Sequence, residues 1–374
     1  MKISDAKTKI KDIARDLGID GIGFCDAGTL DGTEKAFRTA IERGFIPARS
    51  VPRDSTLARL TTPARHLKGA RSVISAYQSY FTGEPPCSDP GCGTIAAYTR
   101  SNYYEDLKRR LKRLAGVMER DFGCRTKAFS CYVTLAEKPL ARRAGLGFYG
   151  KNGVIVTPIH GSYVVLGEII TDLELEPDEM IETTCGSCRL CMDACPTGAI
   201  RTPYFIDRNI CIQHLSSSMD PISPGIRERW ANRLYGCSAC QEACPYNSSI
   251  PPTGRDVAFG AVGSSARLDE IIAISEDGFS ARFSDNQIGI RGRNAIRRNA
   301  IMIAGNSRLE ALLPLLRTCA TDDDPVIRLN SLWAIARIKD PSAKTHLEAA
   351  MRREQDGEVL MEIKSLLDGF GPVE

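Results

Sequence analysis

The sequence predicts three parts in order: an α/β domain, a small cysteine-ligated domain and an α-helical tail of paired-helix repeats. Three observations carry that reading. Over about 1–176, short apolar strand-like runs alternate with amphipathic helix spacing. Eight of the fourteen cysteines then fall between Cys185 and Cys244. Beyond about 284, four helix-length amphipathic runs follow one another across short polar turns.

In the first part, Ile10, Ile13, Ala14 and Leu17 recur at helix spacing and predict a helix over 3–18. The run from Gly21 to Cys25 reads as a short strand, followed by a helix over about 33–43 and a strand over 71–77. Three prolines make 83–93 a loop, and its Cys87 and Cys92 are expected to be surface thiols without partners. A basic helix over 103–120 and a strand over 127–133 come next. Thr134-Leu-Ala-Glu137 has the form of a capping box, which predicts a helix from there to Ala144. The glycine-rich turn Gly145–Asn152 leads into apolar strands over 154–156 and 162–171, and an acidic linker over 173–178 closes the domain.

The cysteines carry the chemistry. Cys185-x-x-Cys188-x-x-Cys191-x-x-x-Cys195-Pro196 is the bacterial ferredoxin pattern, in which the fourth cysteine ligates the other cluster. A second run, Cys237-x-x-Cys240-x-x-x-Cys244-Pro245, is one cysteine short, and Cys211 is the only cysteine between the two runs. The spacing therefore assigns Cys185, Cys188, Cys191 and Cys244 to one 4Fe–4S cube, and Cys195, Cys211, Cys237 and Cys240 to another. Structural zinc is the competing reading of Cys-x-x-Cys pairs, but zinc takes two separated pairs, and two Cys-x-x-x-Cys-Pro endings favour clusters. Disulfides are disfavoured, because nothing points to an oxidising compartment.

The remaining bounds are broad. With 374 residues there is room for two or three cores, and 43% hydrophobic with 25% charged residues is ordinary for a globular protein. A net charge of +3 is too small to argue nucleic-acid binding by itself. The opening residues lack the apolar core of a secretory signal, and no stretch approaches the roughly 18 apolar residues of a membrane span. A cytoplasmic location without a membrane partner is expected.

Several segments together resemble the epoxyqueuosine reductase family. They are Ala144-Gly-Leu-Gly-Phe-Tyr-Gly-Lys-Asn152, Gly161-Ser-Tyr-Val-Val-Leu-Gly-Glu168, Thr171–Leu175, Cys185-Gly-Ser-Cys188 and Asp193–Ile200. Tyr235-Gly-Cys237, Cys240-Gln-Glu-Ala-Cys-Pro245 and Arg298-Asn-Ala-Ile301 add to them. The resemblance implies a cobalamin- and substrate-binding α/β domain over 1–176, of the nitroreductase or reductive-dehalogenase kind. It implies a ferredoxin-like domain with two 4Fe–4S clusters over 177–255 and a HEAT-like domain over 284–374. The implied activity is cobalamin-dependent reduction of epoxyqueuosine to queuosine in tRNA. A monomer fed by an external donor such as flavodoxin or ferredoxin is expected.

Site residues follow from the same resemblance. Arg59, Tyr98 and Ser162 match positions that approach the corrin. No Asp-x-His-x-x-Gly segment occurs, so His66, His160, His214 and His346 read as surface or packing residues. Counting six back from Glu137 places Cys131 where the family has its proton-donor aspartate. A thiol, with an ordinary pKa near 8.5, is still mostly protonated at neutral pH and can donate; as thiolate it could instead ligate cobalt.

Tyr103-Tyr-Glu-Asp106 stands where the family reads Asp-Tyr-His, and Ser238-Ala239 where it often has acids. These departures leave open a paralogue that reduces another small organic substrate. A non-catalytic electron-transfer module is the opposing class, although it would have no use for the long segment 144–171. For RNA, Arg291, Arg293, Arg297 and Arg298, with Arg282 nearby, are the candidate phosphate contacts, and Lys108–Arg113 is a second basic run.

Overall fold

The computed structural model describes residues 3–130, 135–253 and 257–369. The chain forms two compact units that alternate along the sequence. One comprises 1–83, 102–209 and 239–257; the other comprises 84–101, 210–238 and 258–374. The division cuts through the cysteine segment. Six of its eight cysteines belong to the first unit, and Cys211 and Cys237 belong to the second.

In the first unit a four-stranded sheet runs in the order Gly21–Asp26, Ser72–Ser79, Val164–Thr171, Thr126–Ser130, and every pair is antiparallel. The two middle strands are buried along almost their whole length, polar residues such as Ser75, Gln78 and Glu168 included. Helix Tyr103–Phe122 covers one face, burying Tyr103, Leu107, Leu111, Leu114 and Met118 at three- and four-residue spacing. Each such side chain contributes about 1.5–3 kcal/mol. Asn102 caps this helix by accepting from the Glu105 amide at 3.2 Å, and Gly123 ends it in a left-handed conformation. The other face packs Leu140, Ala144 and Ala136 against Cys25, Val73, Phe129 and Ile170.

Helix Glu137–Arg143 begins later than a capping box at Thr134 predicts. The Ala136 amide donates to the Leu60 carbonyl at 3.0 Å and is not available to a cap; Thr134 itself lies outside the described residues.

The second unit holds a three-stranded sheet in which Cys92–Ile95 pairs in parallel with Arg233–Tyr235 and antiparallel with Ser265–Arg267. Cys92, expected in a surface loop, therefore opens a strand. Its thiol is buried and hydrogen-bonded to that of Cys87, so these two cysteines partner each other. The tail forms helices Arg293–Asn306, Leu313–Cys319, Pro325–Ile338 and Ala343–Met351, near the expected positions, and a fifth, Gly357–Asp368. That last helix buries only Val359 and Ile363, too sparse a stripe to mark it in the sequence. Helix Arg293–Asn306 is the spine, since every residue from Ala295 to Gly305 is buried.

Candidate metal centre

Four thiols converge in the first unit. Burial, then the Cys185, Cys244 and Cys188 thiols, push the Cys191 thiol above its ordinary value. Burial also raises Cys244, which feels Cys185 and Cys188 in turn, while the Tyr246 amide partly opposes the rise. This is the set that the spacing assigns to the first cube. Among the described residues, no three His, Cys, Asp or Glu side chains gather closely enough to hold one metal ion. An all-thiolate set suits a cube, in which each sulfur binds its own iron at a separate corner. The donor set fits a cluster.

Local turns aim the sulfurs. Cys188 donates its amide to the Cys185 carbonyl at 3.0 Å, and the amide of Ala199 donates to the Cys195 Sγ at 3.2 Å. Pro245 opens the single turn Pro245–Asn247 after Cys244. It has no N–H, the Asn247 amide donates to the Cys244 carbonyl at 2.9 Å, and backbone hydrogen bonding from Tyr246 and Asn247 favours the Cys244 thiolate. Such bonds stabilise a thiolate and help set a cluster's potential.

A buried polar net fixes the Cys240–Cys244 segment to the sheet. Gln241 Nε2 donates to the Ser162 carbonyl at 2.8 Å and to the Tyr80 hydroxyl at 3.0 Å. Asn247 Nδ2 donates to Ser162 Oγ at 2.9 Å, and the Ser162 amide donates back to Asn247 Oδ1 at 2.8 Å. Gly161 permits this approach, since its φ is positive and a side chain there would strike Asn247 Oδ1. Ser162, which the resemblance places near the corrin, also anchors the cluster segment. Neither Gln241 nor Asn247 was legible as functional; the available signal was an amide inside, or just after, a cysteine run.

The other expected contacts are spread. Arg59 is exposed near the end of helix Asp54–Thr61, where His66 Nε2 lies 3.0 Å from its carbonyl. Tyr98, in the second unit, is half-buried with its hydroxyl 3.4 Å from Gln213 Nε2. Cys131 lies outside the described residues. His66 packs edge-on to Phe129, His160 edge-on to Tyr77, and His214 lies 3.3 Å from Asp220.

In the second unit the structure corrects the RNA expectation for two arginines. Arg298 is fully buried, donating to the Leu215 carbonyl at 2.7 Å and the Ser218 carbonyl at 2.8 Å. Asn299 beside it donates to the carbonyls of Ser216 and Leu234, both at 2.9 Å. Arg298 and Asn299 together brace the segment that follows Cys211 and the strand that leads to Cys237. Arg297 is buried too, held by the Ile272 carbonyl and by Asp322 at 2.9 Å. Buried guanidiniums bonded inside the fold do not reach phosphates. Arg293 pairs with Glu276 at 2.7 Å, and Arg291 is exposed.

One acid is out of place for a core. Glu168 sits on the middle strand Val164–Thr171, fully buried, with Ser75 Oγ 3.4 Å from Oε1; Oε2 has no hydrogen-bond partner among the described residues. Burial first, then the Glu137 charge, hold its proton on far above the ordinary carboxylate range, while the Ser75 hydroxyl opposes. Cys25, on the same face, is pushed up to about 12 mainly by burial. Folding therefore keeps a proton on Glu168 that the unfolded chain releases, so stability falls as pH rises above the ordinary carboxylate range. The expected slope is about 1.4 kcal/mol per pH unit, continuing until the folded-state pKa is passed. Thermal unfolding over a pH series above 5 should show the native protein losing stability relative to Glu168→Gln; parallel curves would refute the protonated state.

Comparison with known proteins agrees with this geometry. Residues 184–247 match a 4Fe–4S double cluster binding domain, and 292–367 match HEAT repeats. Epoxyqueuosine reductase of Bacillus subtilis is 32% identical over 377 residues, covering 97% of this chain and 96% of that protein. The reductase of Staphylococcus aureus is 30% identical, with 97% and 96% covered. A crystal structure of epoxyqueuosine reductase with an epoxyqueuosine-modified tRNA-Tyr stem loop matches with a TM-score of 0.90, at 31% identity over 98% of this chain and 99% of that one. The Bacillus subtilis enzyme, with a catalytic aspartate loop swung out of its active site, matches at 0.89 and 32% identity, covering 98% and 99%. With two-cluster ligands, a helical-repeat tail and similarity along nearly its whole length, this chain belongs to the epoxyqueuosine reductase family.

Proposed function

We propose that the chain reduces epoxyqueuosine in tRNA to queuosine, taking electrons one at a time through two 4Fe–4S clusters. The observation that carries this reading is the full-length match to a reductase whose structure holds an epoxyqueuosine-modified stem loop. The reaction consumes two electrons and two protons per epoxide and releases its oxygen as water. Cobalamin, when bound, supplies a low-valent cobalt able to attack carbon or to give one electron. The protein's part is to hold the reacting carbon in place and to protonate the oxygen as negative charge develops on it.

In this reading Cys185, Cys188, Cys191 and Cys244 hold one cube, and Cys195, Cys211, Cys237 and Cys240 the other. Arg59, exposed, is a candidate for corrin contact, as are the half-buried Tyr98 and the buried Ser162; Cys131 is the candidate acid and a further candidate at the corrin. Arg291, exposed, and Arg293 are the tail residues that remain available for phosphate. A monomer acting in the cytoplasm and reloaded by flavodoxin or ferredoxin completes the proposal; no helix among the described residues is long and apolar enough to cross a membrane.

The test is direct. Anaerobic protein, reconstituted with iron, sulfide and cobalamin, is given epoxyqueuosine-containing tRNA and a low-potential reductant. Queuosine should appear in the digested tRNA. Fully loaded enzyme that yields none would overturn the substrate and favour a relative acting on another molecule.

A further inference from the structure

The hairpin Phe148–Tyr149 and Ile155–Val156 ends in the turn Gly150-Lys151-Asn152-Gly153. Its tip is pinned on several sides. Gly150 donates to the Val154 carbonyl at 2.9 Å and Gly153 to the Gly150 carbonyl at 2.8 Å. Lys138 Nζ holds the Gly153 carbonyl at 3.0 Å, and the Tyr204 amide holds the Lys151 carbonyl at 2.9 Å. From this fixed base Lys151 Nζ donates to the carbonyls of Gly186 at 2.7 Å and Cys188 at 2.8 Å. Asn152 Nδ2 donates to the Cys240 carbonyl at 3.4 Å. A single turn thus touches the loop of the first cube with a cation and a ligand of the second with a neutral amide.

We propose that Lys151 is a redox-tuning residue: its ammonium, clamped on the Cys185–Cys188 loop, raises the reduction potential of the cube bound by Cys185, Cys188, Cys191 and Cys244. The inference rests on that ligand set and not on the substrate. A cube with four thiolates is already anionic, and reduction adds one electron and no proton. A fixed positive charge beside it stabilises the reduced state more than the oxidised one. Both hydrogen-bond acceptors of the ammonium are uncharged carbonyls, and the side chain is half-buried, so solvent screening is weaker than on an open surface. Asn152 offers the other cube only a dipole. The difference biases an arriving electron toward the first cube.

The experiment is an anaerobic potentiometric titration with dithionite, following each reduced cube by electron paramagnetic resonance, with iron counted in the same samples. Lys151→Met and Lys151→Gln should keep about eight irons and lower one of the two midpoints. A tenfold loss in the reduced-to-oxidised ratio at fixed potential corresponds to about 59 mV for one electron. Lys151→Arg, which keeps the charge, should stay near the native midpoint. Full iron with unshifted midpoints in both neutral variants overturns the proposal. Should the neutral variants lose a cube, its retention in Lys151→Arg supports the need for charge; its loss there too makes Lys151 a shape element and also overturns it. None of these outcomes depends on whether tRNA is turned over.

Discussion

Replacing Cys131 by alanine is expected to lower turnover of epoxyqueuosine-containing tRNA by about 10²–10⁴-fold, the usual contribution of a positioned general acid. Both clusters and the bound corrin should survive the change, because the converging thiols and the Ser162–Gln241–Asn247 net involve other residues. Residue 131 follows Ser130, the last residue of the strand that pairs with Val164–Thr171, and is the position that the sequence resemblance matches to the family's aspartate. The related Bacillus subtilis structure displays a catalytic aspartate loop that can leave its active site. A thiol can take the same task with a different pH range.

A free carboxyl loses its proton near pH 4 and a free thiol near pH 8.5, so a thiol acid remains loaded at neutral pH without burial to help it. The native rate should therefore hold through neutrality and fall as pH rises through the thiol range. Cys131→Asp should restore activity relative to alanine but move that fall to lower pH. Measured kcat against pH for the three proteins decides the matter. An alanine variant with native turnover and an unchanged profile would remove Cys131 from the mechanism.

The cysteine spacing made a two-cluster domain legible, because a cube imposes much of its constraint locally, in three-residue steps. The two middle strands were legible because Val73, Ile74 and Ala76, and Val165, Leu166, Ile169 and Ile170, gather apolar side chains in short stretches that are buried on both sides. Strand direction was not, since alternating helix and strand signals carry no pairing information. The division of the cysteine segment between two compact units was equally hidden. It depends on Cys92–Ile95 joining Arg233–Tyr235, a contact far apart in sequence.

Polar residues were the poorest guide. Arg297 and Arg298 sit in a basic run that looks made for phosphate, yet both side chains are buried. Lys151 and Asn152 were visible only as part of a glycine-rich turn, because hydrogen bonds to distant carbonyls leave no periodic trace. Charge in a sequence shows how much a segment carries, not which way it faces.

Arg298 gives the sharpest test of that distinction. Arg298→Ala is expected to destabilise the second unit by about 3–5 kcal/mol, in the range for truncating one partner of a buried charged network. The side chain bonds the carbonyls of Leu215 and Ser218 and the Asn299 side chain, and its removal would leave buried acceptors unpaired. Burial and the Arg227 charge already disfavour the protonated guanidinium, so the site survives only because the acceptors around it are well placed. Lysine should not rescue it, since one ammonium cannot reproduce the planar fork that spans these oxygens. The consequence reaches the clusters, because the braced segments are those carrying Cys211 and Cys237. Loaded Arg298→Ala should lose about half its iron along with its unfolding midpoint, four of the expected eight. A phosphate-binding arginine would behave in the opposite way, weakening tRNA binding with stability and iron intact, as is expected for Arg291→Ala. Arg298→Ala with native stability and native iron would return that residue to the RNA surface.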